Sequence, residues 1–309
     1  MLPSRRVTES LNRKLIYLAV AIAVLTAVTL LLGASIPDQY GRKKGLQIAV
    51  TFPSLAFDIE QLLCEGDTVL PLIPPGVDPH EYQLTPSDIG ILKESDLIVS
   101  TAHASFENRI AELHLKGELK GALIEVPRVP GMNLKVNPAT GVENPHWPIY
   151  DPENYIAFIR YIARVMSEKR PQCSYIYTYK ADEIESRVRE IVATTKPLNV
   201  SAIAVSPIVQ YAVEWVGIKV DYLLTTEHEL PTIPENLVKV EAALSASKAS
   251  LIISIKGIED TPLGRKAAEL ASRYGRAILY VDSPLALNST LTKLEDLCKE
   301  LLRLHSHGG

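Results

Sequence analysis

Short β-branched runs alternate with stretches of helical periodicity from residue 46 of this 309-residue chain onwards. The runs form two groups and are predicted as strands at 46–51, 68–72, 96–101 and 122–126, then at 201–205, 219–224, 251–255 and 277–281. Strands that alternate with helices form βα units around a parallel sheet. The pattern therefore predicts an α/β protein with two groups of parallel strands.

A long helical stretch without a strand separates the two groups. Asp151 is a good N-cap, and Pro152 suits the first helical position, where its missing N–H costs nothing. Apolar side chains then recur at helical spacing until Arg170 and Pro171, where this helix should end. The same spacing returns in a second helix at about 174–194. We predict that this second helix joins two lobes.

The N-terminal region contains an apolar run, 15–34, of 20 residues without a charge. That is the length a helix needs to cross a hydrocarbon core of about 30 Å. Arg5, Arg6, Arg13 and Lys14 precede the run and favour a cytoplasmic N-terminus. We expect residues 1–45 to form a cytoplasmic end, an uncleaved single-pass anchor in the cell membrane and a linker. The bulk of the chain is then extracytoplasmic. A cleaved signal is the alternative.

Charge and cysteine content exclude other classes. The net charge of −4 and a pI of about 6.0 do not suggest a nucleic-acid-binding surface. Cys64, Cys173 and Cys298 lack C-x-x-C spacing, and an odd number cannot all pair within the chain. We therefore predict buried or free thiols, with neither a disulfide framework nor a cysteine metal site.

Two histidines lie in proline-rich loops. His80, in Pro-Pro-Gly-Val-Asp-Pro-His-Glu-Tyr, follows the predicted strand 68–72 at its carboxyl end, where open α/β sheets bind ligands. His146, in Asn-Pro-His-Trp-Pro, precedes the Asp151 cap. Asp282 directly follows the predicted strand 277–281. Taken alone, His80 is better explained by capping or packing in a loop, and Asp282 is better explained as a turn or helix cap. The second histidine in a proline-rich loop favours a ligand-binding role for the pair.

These residues carry a resemblance to a known family. From residue 46 to its end, the sequence resembles the zinc/manganese-type solute-binding proteins of ABC transporters, the ZnuA/TroA-like family. The match rests on L-I-P-P-G-V-D-P-H-E-Y-Q-L-T-P-S-D-I, N-P-H-W-P-I-Y-D-P-E-N and Y-A-V-E-W-V-G-I. The resemblance implies two (β/α)4 lobes, 46–172 and 197–309, joined by one long linking helix at 173–196.

The resemblance also implies a function. A transition-metal ion, Zn²⁺ or Mn²⁺, would lie between the lobes as transported ligand, held by His80, His146 and Asp282. The expected partners are an ABC permease and its ATPase subunit, and the protein is expected not to be an enzyme. A surface metalloenzyme is the alternative from another class, although the chain has no H-E-x-x-H and no Gly-x-Ser-x-Gly motif. An adhesion or scaffold protein with a degenerate metal site is a further alternative.

The third ligand position departs from the family pattern. The family histidine or glutamate corresponds to Ser206, and a hydroxyl is a weak ligand beside imidazole or carboxylate. Three alternatives follow: water completes the coordination shell, another residue takes the place of the third ligand, or the site binds metal more weakly. His103 is the best substitute, although a solvent-exposed loop histidine explains it equally well. Further candidates are Glu227, His228 and Glu229, of which Glu229 would support a ligand rather than bind.

Two more histidines lie close to the C-terminus. His305 and His307 belong to the sequence Leu-His-Ser-His-Gly-Gly. We predict a disordered tail for this segment rather than a metal site.

Overall fold

The computed structural model describes residues 45–226 and 234–307, together with Ile22 and Thr26, and the side chains as far as Leu304. Apart from Ile22 and Thr26, the predicted anchor 15–34 lies outside the described residues, as do Glu227, His228 and Glu229. Among the helices described, none is both long and apolar enough to span a bilayer. The described residues from 45 onwards belong to one compact unit.

The first lobe is a four-stranded parallel sheet with the order β2-β1-β3-β4. Its strands are β1 (Gln47–Val50), β2 (Thr68–Pro71), β3 (Leu97–Ser100) and β4 (Ala122–Glu125). Three helices connect them, α1 (Pro53–Glu60), α2 (Pro86–Glu94) and α3 (Ser105–Leu115). From β1 the chain continues to β2 at one edge of the sheet, and from β3 it continues to β4 at the other edge. The carboxyl ends of β1 and β3 therefore form a topological switch point, where such sheets bind ligands.

The second lobe repeats this topology with the order β6-β5-β7-β8. Its strands are β5 (Val200–Ala204), β6 (Ile218–Leu223), β7 (Leu251–Ile255) and β8 (Ala277–Val281). Its helices among the described residues are α6 (Gln210–Glu214), α7 (Pro234–Ser245), α8 (Pro262–Tyr274) and α9 (Thr290–His307). All eight predicted strands are present. Because α9 continues to His307, the prediction of a disordered tail is wrong as far as that residue.

Two helices lie between the sheets in sequence, α4 (Pro152–Lys169) and α5 (Ser174–Thr194). The Asp151 side chain caps α4 by accepting hydrogen bonds from the backbone N–H groups of Glu153 and Asn154. The predicted apolar stripes are buried on both helices. Helix α5 packs against α4 and against α9 of the second lobe. It therefore contacts elements on both sides of the molecule.

The cysteine prediction is wrong for two of the three residues. Cys64 and Cys173 form a disulfide across a separation of 109 residues, while Cys298 is a half-buried thiol. An odd number of cysteines excludes complete pairing but not one pair, and a separation this long carries no spacing signal. The buried Asp67 carboxylate beside the bridge accepts hydrogen bonds from the Cys64 N–H, at 2.9 Å, and from the Tyr177 hydroxyl, at 2.7 Å. Structural disulfides form in oxidising compartments, as expected for an extracytoplasmic protein.

A buried carboxylate connects the two lobes. Asp58 of α1 accepts hydrogen bonds from the N–H and the hydroxyl of Thr290, at 2.7 and 2.9 Å, and from the Tyr155 hydroxyl at 2.9 Å. Thr290 begins α9, so the carboxylate also lies at the positive end of that helix dipole. Burial raises the pKa of Asp58, and the positive charge of Lys293 opposes this rise.

Lys293 lies one turn into α9 and is fully buried. Its Nζ donates to the carbonyl of Pro284 at 2.7 Å. Burial lowers the pKa of Lys293 to about 8, against the opposing attraction of Asp58 and Asp282. A lysine with this pKa exchanges its proton close to neutral pH.

Removal of the disulfide should destabilise the protein. The double substitution Cys64→Ser and Cys173→Ser should lower the free energy of unfolding by about 3–5 kcal/mol, because the bridge restricts a long loop in the unfolded chain. Urea denaturation measures this loss. Cys298→Ser is the control and should cost about 1 kcal/mol or less. A double variant as stable as this control would show that the bridge does not form.

The buried lysine should make stability depend on pH. Between pH 8 and the ordinary lysine pKa of 10.5, the unfolded chain holds a proton that folded Lys293 has released. Stability from this group therefore rises with pH across that window. The unfolding free energy of the parent, relative to that of Lys293→Met, should increase by about 2 kcal/mol from pH 8 to pH 10. Denaturation with a chelator present measures it, with Lys299→Met on the exposed face of α9 as control. A difference that stays constant with pH would contradict the depressed pKa.

Candidate metal centre

Three histidines meet at the carboxyl edge of the first sheet. The ring centroid of His103 lies 5.7 Å from that of His80 and 4.3 Å from that of His146. His80 follows β2, His103 follows β3, and His146 lies in the loop before α4. The exposure of the three side chains decreases from exposed His80 through half-buried His103 to buried His146. The cluster therefore leads from solvent into the interior.

These rings line a small cavity. Its volume is about 40 Å³, and its other lining residues are Phe52, Pro79, Thr101, Pro145, Trp147, Ile208 and Leu285. Such a space holds one or two waters or an ion, whereas pockets for organic ligands measure about 300–1,000 Å³. Trp147 is buried and packs edge-on against Phe52 at 5.7 Å between ring centroids, so it belongs to the core. The arrangement suits a single ion.

Proline-containing backbone and local hydrogen bonds position the His80 loop. The His80 N–H donates to Asp78 Oδ1 at 2.8 Å. The loop then leads into α2, where Thr85 and Asp88 form a capping box. The Tyr82 hydroxyl donates to Asp88 Oδ2 at 2.7 Å, and burial, together with this carboxylate, raises the pKa of Tyr82 to about 12. Tyr82 thus remains a neutral donor that ties the loop to the helix.

The His146 ring is oriented by Asn144. Both Nδ2 hydrogens of Asn144 are directed at acceptors, the carbonyl of Pro207 at 2.9 Å and Gln210 Oε1 at 2.8 Å. The atom that faces His146 Nδ1 at 2.6 Å is therefore Asn144 Oδ1, which can only accept. Nδ1 then carries the proton, and the lone pair lies on Nε2. A partner that fixes the tautomer in this way is typical of metal-binding histidines.

The same asparagine connects the lobes. Pro207 and Gln210 belong to the second lobe, and the Tyr211 hydroxyl donates to the Asn144 carbonyl at 2.6 Å. Asn144 is fully buried. It is a candidate site residue that the sequence pattern did not indicate, although its place two residues before His146 is the signal that could have found it.

Asp282 lies apart from the histidine-lined cavity at the end of β8. Its Oδ1 is 3.3 Å from Lys256 Nζ, and its backbone carbonyl accepts from the Tyr150 hydroxyl at 3.3 Å. Its Oδ2 is buried and has no hydrogen-bond partner among the residues the structure describes. Burial, and then the Asp282 charge, raise the pKa of Tyr150 well above its ordinary value. One carboxylate oxygen of Asp282 thus remains available to a cation.

Ser206 is fully buried and caps a short 3₁₀ turn, Pro207–Val209, by accepting from the Ile208 N–H at 3.4 Å. Within 45–226 and 234–307, no three histidine, cysteine, aspartate or glutamate side chains stand at distances that would hold a metal ion as they are. The structure brings together His80, His103 and His146 but leaves Asp282 in its ion pair with Lys256.

Known proteins share this fold and are similar in sequence over most of this chain. A family model described as "Zinc-uptake complex component A periplasmic" matches residues 48–301. Iron-binding protein YfeA of Yersinia pestis is 24% identical over 292 residues, which cover 89% of this chain and 90% of that protein. Manganese ABC transporter substrate-binding lipoprotein PsaA of Streptococcus pneumoniae serotype 4 is 23% identical over 256 residues, which cover 78% of this chain and 82% of that protein.

A solved structure agrees in fold. FpvC of Pseudomonas aeruginosa in complex with Mn²⁺ superposes with a TM-score of 0.70 at 20% identity, covering 86% of this chain and all of that one. The class is thus that of the metal-binding, extracytoplasmic solute-binding proteins of ABC transporters, which are not enzymes. This chain belongs to the ZnuA family of periplasmic zinc-uptake components.

Substitution of Asn144 should separate metal affinity from stability. Asn144→Leu removes the acceptor that orients His146, so metal affinity should fall by about 10–100-fold. Asn144→Asp keeps an acceptor but loses the donors to Pro207 and Gln210, so it should retain more affinity while losing stability. Zinc titration and urea denaturation measure the two quantities. Equal losses of affinity in both variants would reduce Asn144 to a structural role.

Proposed function

We propose that this chain binds one transition-metal ion between its lobes and delivers it to an ABC permease. The observation that carries the proposal is the convergence of three imidazole rings on an ion-sized cavity at the carboxyl edge of the first sheet. Imidazole suits zinc, iron and other transition metals, whereas calcium and magnesium prefer oxygen ligands. ATP hydrolysis would belong to a partner subunit.

Ligands from both lobes complete the proposal. His80 and His146 would bind from the first lobe, 46–172, and Asp282 from the second, 197–309, with 173–196 as the linking helix. Asp282 Oδ2 would approach the ion when the lobes close, and the carboxylate would then exchange part of its interaction with Lys256 for the metal. The cleft of about 480 Å³ between the 73–79 loop and residues 283–287 adjoins the cavity and offers a path for entry.

The cargo is proposed as Zn²⁺ or Mn²⁺. The relatives are named for different metals, iron for YfeA and manganese for PsaA, and the family model is named for zinc. The names of the relatives therefore do not fix the metal of this chain. We further propose that the run 15–34 anchors this chain in the cell membrane by a single span.

Loss of either predicted histidine should abolish tight binding. In His80→Ala and in His146→Ala, zinc affinity should fall by about 100-fold or more, because a lost ligand costs at least as much as a lost supporting residue. Asp282→Ala should weaken binding and shift the metal preference, because it removes the negative charge of the set. Competitive zinc titration against a chromogenic chelator measures these changes.

The matched control is His114→Ala, a histidine on α3 outside the cluster. It should bind zinc as the parent does. If His80→Ala and His146→Ala also bind like the parent, the metal-carrier function fails, and an adhesion or scaffold role becomes the better explanation.

A further inference from the structure

We infer that His103 is the third nitrogen ligand of the metal, because Ser206, at the third ligand position of the family, offers only a weak hydroxyl donor. This inference rests on the proposed function. His103 lies between the other two histidines, with centroid distances of 5.7 Å to His80 and 4.3 Å to His146. Zinc binds imidazole nitrogens at about 2.0–2.1 Å, so neighbouring ligand rings must approach this closely. An ion held by His80 and His146 therefore lies within reach of His103 after small side-chain rotations.

A buried carboxylate holds the backbone of the His103 loop. Glu107, only 2% exposed, accepts hydrogen bonds from the N–H groups of Thr101, His103 and Ala104, at 2.7, 2.8 and 2.9 Å. It also accepts from the Ser100 and Thr101 hydroxyls, at 3.0 and 2.6 Å. Five donors thus converge on one side chain. A loop held in this way presents the imidazole at a defined position, which lowers the ordering cost of binding.

The loop backbone also adopts an unusual conformation. Ala102 has a φ of 56°, in the left-handed region that residues with a Cβ rarely adopt. Strained residues of this kind persist where the surrounding structure holds them, and they concentrate at functional sites. Here the neighbouring Thr101 and His103 N–H groups are both bound to Glu107, and the next side chain along is the imidazole that lines the cavity.

Ser206 is poorly suited to the same position. It is fully buried, and its hydroxyl caps the turn that begins at Pro207. The second-lobe residues that line the histidine cavity are Ile208 and Leu285, whose side chains have no donor atom. The third nitrogen therefore comes from the first lobe, and the second lobe contributes the Asp282 carboxylate.

This ligand set has consequences for selectivity and loading. Three imidazoles with one carboxylate form a nitrogen-rich set, which favours Zn²⁺ over Mn²⁺, since manganese prefers carboxylate and water oxygens. All three nitrogens belong to one lobe, so a metal ion can be captured before the lobes close. Asp282 then acts as the closing ligand.

The test compares His103→Phe, which keeps a ring of similar size but removes both nitrogens, with Ser206→Ala and with His114→Phe as control. Zinc affinity is measured on the full chain by competitive titration against a chromogenic chelator. We expect a fall of about 100-fold or more in His103→Phe. The other two variants should stay within about threefold of the parent. The visible spectrum of the Co²⁺-loaded protein should also weaken in His103→Phe, since replacing a nitrogen by water changes the coordination.

The outcomes separate this inference from the proposed function. If the parent binds zinc and His80→Ala does not, but His103→Phe binds like the parent, then water completes the shell and the inference is overturned while the proposed function stands. If the parent itself does not bind zinc, Mn²⁺ or Co²⁺, the proposed function fails first. His103→Asp is the second variant: it restores a ligand, so it should recover binding relative to His103→Phe and lower the preference for Zn²⁺ over Mn²⁺.

Discussion

One buried carboxylate, Asp58, fixes the second lobe against the first by binding the first turn of α9. The contact is expensive to form, because burial opposes the charges of both Asp58 and Lys293. The three hydrogen bonds to Asp58 compensate for this cost. Once they have formed, no other partner would give the carboxylate a comparable gain in free energy. The hydrogen bonds from Thr290 are directional. They therefore specify how α9 and the sheet beside it stand against the first lobe, which a hydrophobic contact alone would not do.

The same device recurs at two other places. Asp67 collects donors from Cys64, Tyr177 and Arg170 beside the disulfide, at the base of the first lobe. Glu107 collects five donors around the loop that carries His103. In each case one acidic side chain accepts hydrogen bonds from several donors, at least one of which is a backbone N–H group. Loops held in this way present their side chains at defined positions, and the histidine cluster depends on that property.

Asn144 links the site to the placement of the lobes. Its oxygen orients His146 in the first lobe, while its two hydrogens bind Pro207 and Gln210 in the second. A change in the angle between the lobes would therefore alter the support of the His146 ring. Under the proposed function, a permease that separated the lobes would weaken metal binding by this route.

The sequence by itself determined the eight strands, the cap of α4, the two helices between the sheets and the loops that carry His80 and His146. These features depend on local periodicity, proline and capping chemistry, which act between residues close in the chain. The disulfide, the role of Asn144, the grip of Glu107 and the position of His103 between two other histidines were decided only by the tertiary structure. Each brings together residues whose distance in space does not follow from their separation in sequence: 109 residues for Cys64 and Cys173, and 43 for His103 and His146. Parallel strands place their carboxyl ends at one edge of the sheet whatever the length of the connection between them, and that is why this site forms there.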